Sequence, residues 1–327
     1  MVFVSRIEDM KLTNLRDFLA VVEQRSLRAA ARELGIAQPA ITRSIQALER
    51  ELGVPLFERQ TRGVVPTAMG KAFLRRARIV SNELARAREE IEQLRGNMRG
   101  HVRVALSMVP HMALLPYALK QFRIRYPEVH LDIIDTLFLS VGSEISNGTF
   151  DCYIGPPPEN LPGGLTQEIL FQNTRTIVGR TGHPLGRAKS LRELGNAEWM
   201  STSITASAQD ELGPLFLAHR LPPPKIMLQA HAALTIMVSL TNSDLLAMVP
   251  VQWTAFPPTR DLLQIIDVVE TLPAPPICII QCAGLPLTPV AEHFCDLIRR
   301  AAEHHRTPTA PIPSRSPKPK GDSRKLP

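Results

Sequence analysis

The amino-acid sequence predicts an α/β protein in three parts: an N-terminal winged helix-turn-helix, a long linker helix, and a larger α/β domain of two lobes. Three observations predict it. Apolar residues at helical spacing break off at Gly35 and resume after a Gln38-Pro39 pair. From Phe73 to Leu94, apolar residues recur in steps of four and three without a miss. Beyond Gly96, β-rich runs alternate with helical ones, the pattern of a parallel sheet.

The first helix is read from the stripe Leu12, Leu15, Phe18, Leu19 and Val22. Ser26 is placed to cap a short second helix carrying Leu27, Ala30, Ala31 and Leu34, and Gly35 supplies the left-handed residue that ends it. Pro39 lacks an amide hydrogen and is tolerated only in a first turn, so a third helix begins near Gln38. Its Ile41, Ile45, Leu48 and Leu52 face inward, leaving Gln38, Thr42, Arg43, Gln46 and Arg50 on or near the other side. Glutamine and arginine make paired hydrogen bonds to base edges, so this side is a candidate DNA-reading surface. VPLFERQTRGVVPT then reads as two short strands around Thr61-Arg62-Gly63, with Arg59 and Arg62 projecting from a wing toward the duplex.

The linker helix is predicted to open at Thr67 and run to Leu94, about 40 Å at ~1.5 Å per residue. Phe73, Ala77, Val80, Leu84, Ala87, Ile91 and Leu94 form a coiled-coil seam, which predicts pairing with a second copy. A two-fold dimer presents two reading heads to a roughly palindromic site.

In the α/β part, HVRVALSM, HLDIIDT and DCYIG alternate with helices over 112–126 and 138–147. Further strands are expected at TQEILF, TRTIVG, EWMSTS, KIMLQA, LLAMVPV, LLQIIDV and PPICIIQC, with helices near 208–220, 232–241 and 288–304. The expected division is 1–66 for the DNA-binding domain, 67–95 for the linker and 96–305 for the lobes. The first lobe covers about 100–165 and 268–305, and the second about 166–267. Ligands in such folds bind beyond the carboxyl ends of strands. The candidate pocket residues are therefore Ser107, His111, Thr136, Thr202, Ser203, Ile204 and Thr205, whose hydroxyls and free amides suit a small organic anion.

Charge follows the same partition. Residues 1–66 carry ten basic and eight acidic side chains, 67–95 seven and four, and 96–305 fifteen and eighteen. A basic front on a mildly acidic body points to nucleic acid at one end. Residues 306–327, with six basic residues against one acidic, have almost nothing to bury and are expected to be a disordered, Pro-rich tail. The four cysteines form no CxxC pair, which favours free thiols over a zinc site, and no membrane-length apolar run occurs. A cytoplasmic chain is expected. With no Gly-rich phosphate loop, nucleophile elbow or metal constellation, neither catalysis nor a cofactor or metal is expected.

LRDFLAVVEQRSLRAAARELGIAQPAITRSIQALERELGVPLFER, residues 15–59, resembles the winged helix-turn-helix of the LysR-type transcriptional regulators, and RGVVPTAMG continues the likeness into the linker. Gly100, Arg103, Leu115-Pro116, Tyr126-Pro127, Gly148 with Asp151, and His183-Pro184-Leu185 look like landmarks of that family's effector domain. The resemblance covers roughly residues 10–305, and on it Met10 is a candidate start. It implies a two-lobed, periplasmic-binding-protein-like effector domain in a homodimer or tetramer that binds and bends promoter DNA under control of a small molecule. By position it implies DNA contacts for Gln38, Pro39, Ala40, Thr42, Arg43 and Gln46, with Arg59 and Arg62 holding the duplex; Arg28 and Arg50 are further candidate DNA contacts of this chain. It also implies effector contacts for Ser107, Thr136 and the Thr202–Ser203 loop, whereas His111 matches no family-wide position.

Overall fold

The computed structural model describes residues 10–60, 63–202 and 211–305. Arg62, Ser203, Ile204, Thr205 and the 306–327 tail lie outside them. The N-terminal unit consists of α1 (Leu12–Gln24), α2 (Leu27–Glu33), α3 (Gln38–Leu52) and a hairpin of β1 (Phe57–Gln60) and β2 (Gly63–Pro66). Ser26 caps α2 by accepting the Ala29 amide, and Gly35 turns the chain at φ +66° before Pro39 enters the first turn of α3. Phe18, Val21, Ala30, Ile41 and Leu48 are essentially sealed in the core among the three helices. The Glu49 carboxylate accepts the Leu56 and Phe57 amides at 2.7 and 3.2 Å, fixing where the wing leaves α3.

The linker is α4 (Ala68–Leu94), capped by Thr67, whose hydroxyl oxygen accepts the Gly70 amide at 2.9 Å. The seam does not serve a single purpose. Ala77 is buried and Phe73 packs edge-on against Phe18, so these two residues complete the N-terminal core instead of facing a partner. Val80, Leu84, Ile91 and Leu94 remain 41, 39, 53 and 74% exposed, and Ala87 is exposed too. The expected seven-residue seam is thereby corrected to its last five positions. A helix starting beside a small domain must first bury that domain's open side.

The remaining chain forms two lobes. It runs through β3 (Gly100–Leu106), α5 (Met108–Ala113), α6 (Leu115–Arg125), β4 (Val129–Asp135), α7 (Phe138–Ser146), β5 (Cys152–Gly155) and β6 (Leu165–Phe171). Next come β7 (Arg175–Arg180), β8 (Glu198–Ser201), α8 (Leu212–Ala218), β9 (Lys225–Gln229), α9 (Ala233–Thr241) and β10 (Leu246–Pro250). Last are α10 (Gln252–Ala255), β11 (Leu263–Ile266), β12 (Ile277–Cys282) and α11 (Pro289–Glu303). Where one helix over 112–126 was expected there are two, because Pro116 cannot donate within a continuous helix and instead occupies the start of α6.

The first sheet has the order β4-β3-β5-β12-β6 and the second β11-β7-β10-β8-β9. In each, the βαβ strands are parallel, while β12 and β7 run antiparallel to their neighbours. β6 pairs along its length with β12 of the first sheet, so the expected lobe boundary near 166 moves to the crossing at 172–174. Proximity to TRTIVG in sequence groups this strand with the second lobe, but hydrophobic alternation does not show which sheet an edge strand joins. The second crossing spans 267–276, between β11 and β12.

Candidate functional site

Two surfaces bring the predicted residues together. On α3, burial of Ile41, Ile45 and Leu48 turns Gln38, Pro39, Arg43, Gln46 and Arg50 to the exterior. Ala40 and Thr42 are half-buried beside them, and the Thr42 hydroxyl donates back to the Gln38 carbonyl at 3.0 Å. Ser44 on the same helix donates to Asn14 at 3.2 Å, tying α3 to α1. Arg28 is exposed in the first turn of α2 and Arg59 on β1, so helix start, reading helix and wing all carry outward guanidinium groups. The wing is pinned at its root. The Val64 amide donates to the Arg25 carbonyl at 2.9 Å, and Gly63 at φ +123° lets that carbonyl approach where a Cβ would collide with it.

The second surface is a cleft of about 500 Å³ between the lobes. Ser107 follows β3, Asp135 and Thr136 close β4, Pro156 follows β5, Thr202 follows β8, and His231 follows β9. All lie at carboxyl ends of parallel strands, where aligned strands leave their unpaired backbone ends around a common crevice. Ser107 is held by its amide to the Ile154 carbonyl at 2.9 Å, Thr136 by its amide to Leu106 at 3.0 Å, and Thr202 by its hydroxyl to Met248 at 3.2 Å. Apolar walls come from Met108, Val109, Leu137, Leu139, Pro250 and Ile277.

His111 does not line this cleft. It sits one turn into α5, where its Nδ1 donates to the Ser107 carbonyl at 3.0 Å, with Asp135 at 3.9 Å. Its place is corrected from ligand contact to support for the Ser107 turn. The sequence reading also missed cleft residues. His231 obeys the rule that found Thr202, since it follows a strand. Asn173 and Arg175 belong to the crossing and the strand after it, and there the mistaken lobe boundary hid them. The Arg175 side chain is largely shielded from solvent and paired with Glu211 at 2.8 Å. Beneath the cleft the Tyr153 phenol shares the space over Gly155 with the Ser107 hydroxyl, and burial pushes its pKa upward.

The linker joins these surfaces. The Arg86 guanidinium donates to the Gly148 and Phe150 carbonyls and to Asp151, Asn82 donates to the Asn147 carbonyl at 3.0 Å, and Gln93 accepts the Val290 amide at 3.2 Å. Glu89 lies 3.5 Å from His101.

An outward reading helix on one domain and a two-lobed cleft on another define the class, a DNA-binding regulator with a ligand-binding domain. Residues 12–71 match the bacterial regulatory helix-turn-helix protein, lysR family, and residues 95–303 match the LysR substrate binding domain. The chain belongs to the LysR family of transcriptional regulators. It is 27% identical over 288 residues to the HTH-type transcriptional regulator GalR of Pseudomonas putida, covering 88% of this chain and 72% of that protein. To the regulator GbpR of Azospirillum brasilense it is 28% identical over 300 residues, 90% of this chain and 87% of the other. The structure of full-length CbnR complexed with its target DNA is similar, with a TM-score of 0.64, 25% identity, and coverage of 89% of this chain and 100% of that one. No helix among the described residues is long and apolar enough to cross a membrane.

Proposed function

We propose that this chain is a homodimeric or tetrameric cytoplasmic regulator that bends promoter DNA differently when a small organic anion fills the cleft between its lobes. Gln38, Pro39, Ala40, Thr42, Arg43 and Gln46 read or approach bases, while Arg59 and Arg62 hold the duplex and Arg28 and Arg50 contact DNA beside them. Ser107, Thr136 and Thr202, with Ser203, Ile204 and Thr205, contact the effector. The observation that carries the reading is the convergence of strand ends from both lobes on one cleft, because a ligand bridging two lobes favours the arrangement that closes on it.

The helix geometry supports self-association. Asn82, Arg86, Glu89 and Gln93 put one face of α4 against the first lobe. At ~100° per residue, Val80, Leu84, Ala87, Ile91 and Leu94 lie about half a turn away, on the side a second copy can reach. A thermal-shift screen of organic acids, followed by footprinting on DNA upstream of the gene with and without the hit, tests the proposal. The expected result is a hit that raises the melting temperature and alters the footprint. A footprint identical in both conditions rejects effector control, and a chain without sequence preference at physiological salt rejects the regulator itself.

A further inference from the structure

Arg175 stands at the first position of β7, directly after the crossing between lobes, and lines the cleft with Asn173, Thr202 and His231. Its side chain is 7% exposed, so its charge is out of water and needs a counter-charge. Glu211, at the head of α8, supplies one. Glu211 Oε1 accepts from Arg175 Nη2 at 2.8 Å, and Nη1 donates to the Pro273 carbonyl at 3.3 Å. The Nε hydrogen is buried and has no acceptor among the described residues.

That leaves a half-used fork. The Nε and Nη2 hydrogens of an arginine point side by side and match the two oxygens of one carboxylate, yet Glu211 engages only Nη2. A planar acid approaching through the cleft can take both hydrogens, satisfying the orphan donor and making the paired contact that Glu211 does not make. Among the described lining residues the one carboxylate is Asp135, whose side chain is half exposed. The rest is mainly apolar, which suits a ligand with one acid group and an uncharged hydrocarbon body.

We infer that Arg175 is the residue that selects a singly charged organic acid in the cleft, and that Glu211 is a resident carboxylate which the acid displaces. The inference rests on the cleft being the effector site and adds the group that decides the ligand's charge. Glu211 thereby sets a threshold: the acid must outcompete a tethered carboxylate, so the apparent affinity is lower than the bare arginine would give.

The experiment uses the full chain and two matched probe pairs, acetate with acetamide and benzoate with benzamide. In Glu211→Ala, melting temperature is expected to fall and to recover by about 2–4 °C with the acids but not the amides. The double variant Arg175→Gln/Glu211→Ala is expected to show no difference between acid and amide. Should Glu211→Ala fail to fold, Glu211→Gln keeps the side chain's size and permits the same comparison. Equal effects of acid and amide, or an acid response surviving in the double variant, would overturn the inference. For any metabolite that stabilises the native chain, an undiminished effect in Arg175→Gln overturns the role of Arg175 alone. An undiminished effect in Thr136→Trp, which blocks the opposite wall, instead overturns the cleft as the effector site.

Discussion

Arg86 Nη2 of the linker helix lies 2.8 Å from Asp151 Oδ1 of the first lobe, with both side chains about nine-tenths buried. The other carboxylate oxygen accepts the Arg103 amide at 2.8 Å. Asp151 immediately precedes β5, and Arg103 immediately precedes the part of β3 that pairs with β5. Those two parallel strands end at Pro156 and Ser107, in the cleft. At ~3.3 Å per residue the clamp and the cleft sit about 13–17 Å apart, at opposite ends of the same pair of strands. The β3–β5 ladder thus joins the helix clamp to the cleft with no loop between.

Breaking this pair from its two sides has unequal costs. Arg86→Ala strands a carboxylate in a buried site and is expected to cost about 3–5 kcal/mol, whereas Asp151→Asn keeps the shape without the charge and costs less. Burial already raises the Asp151 pKa, with Arg86 pulling it down, so loss of Arg86 raises it further. A carboxyl whose folded pKa lies above its unfolded value binds more protons when folded, and stability falls as pH rises through that window. The Arg86→Ala deficit should therefore shrink between pH 7.5 and 5 in urea unfolding, and a deficit that grows on acidification contradicts the assignment.

Much of the N-terminal unit was legible because its signals are local. A serine cap, a left-handed glycine and a first-turn proline each act within a few residues, and Ser26, Gly35 and Pro39 stand where they were expected. Contacts distant in sequence were not legible. Nothing around Leu165 says that its strand joins β12, more than a hundred residues later, and nothing around Arg175 announces Glu211. The cysteines repeat the point. Cys152 and Cys295 lie 143 residues apart in sequence, yet their sulfurs are 3.7 Å apart.

The wing depends on one backbone approach. Gly63→Ala places a methyl against the Arg25 carbonyl at a φ that other residues avoid, at a cost of about 1–3 kcal/mol. That strain should loosen the hairpin and weaken DNA binding. Gly35 is also left-handed, but open space surrounds it, so Gly35→Asn should bind DNA almost as the native chain does. Fluorescence anisotropy on one duplex compares the two.

Base reading and phosphate holding separate in the salt dependence. Arg43→Ala and Gln46→Ala are expected to lose about 1–3 kcal/mol of discrimination between the target and a scrambled duplex. Arg59→Ala should weaken both duplexes alike and reduce the salt slope by about one. Equal losses on both duplexes for Arg43→Ala would remove it from the base-reading set.

The five outward seam residues set the last test. Val80, Leu84, Ala87, Ile91 and Leu94 cannot be buried by the chain's own lobe, because Arg86 and Gln93 hold that lobe to the opposite face of α4. A paired carboxylate at position 84 or 91 would have to leave water without a counter-charge, so Leu84→Glu with Ile91→Glu should yield monomers in sedimentation. Ser81→Glu, about a quarter turn away on the same helix, should leave the assembly intact. Losing the second reading head removes its high effective concentration, and affinity for a palindromic duplex should drop by about 10²–10⁴ while a half-site is bound as before. A double variant that still sediments as the native assembly would move the dimer contact off this helix, since two buried charges cannot persist in an apolar seam.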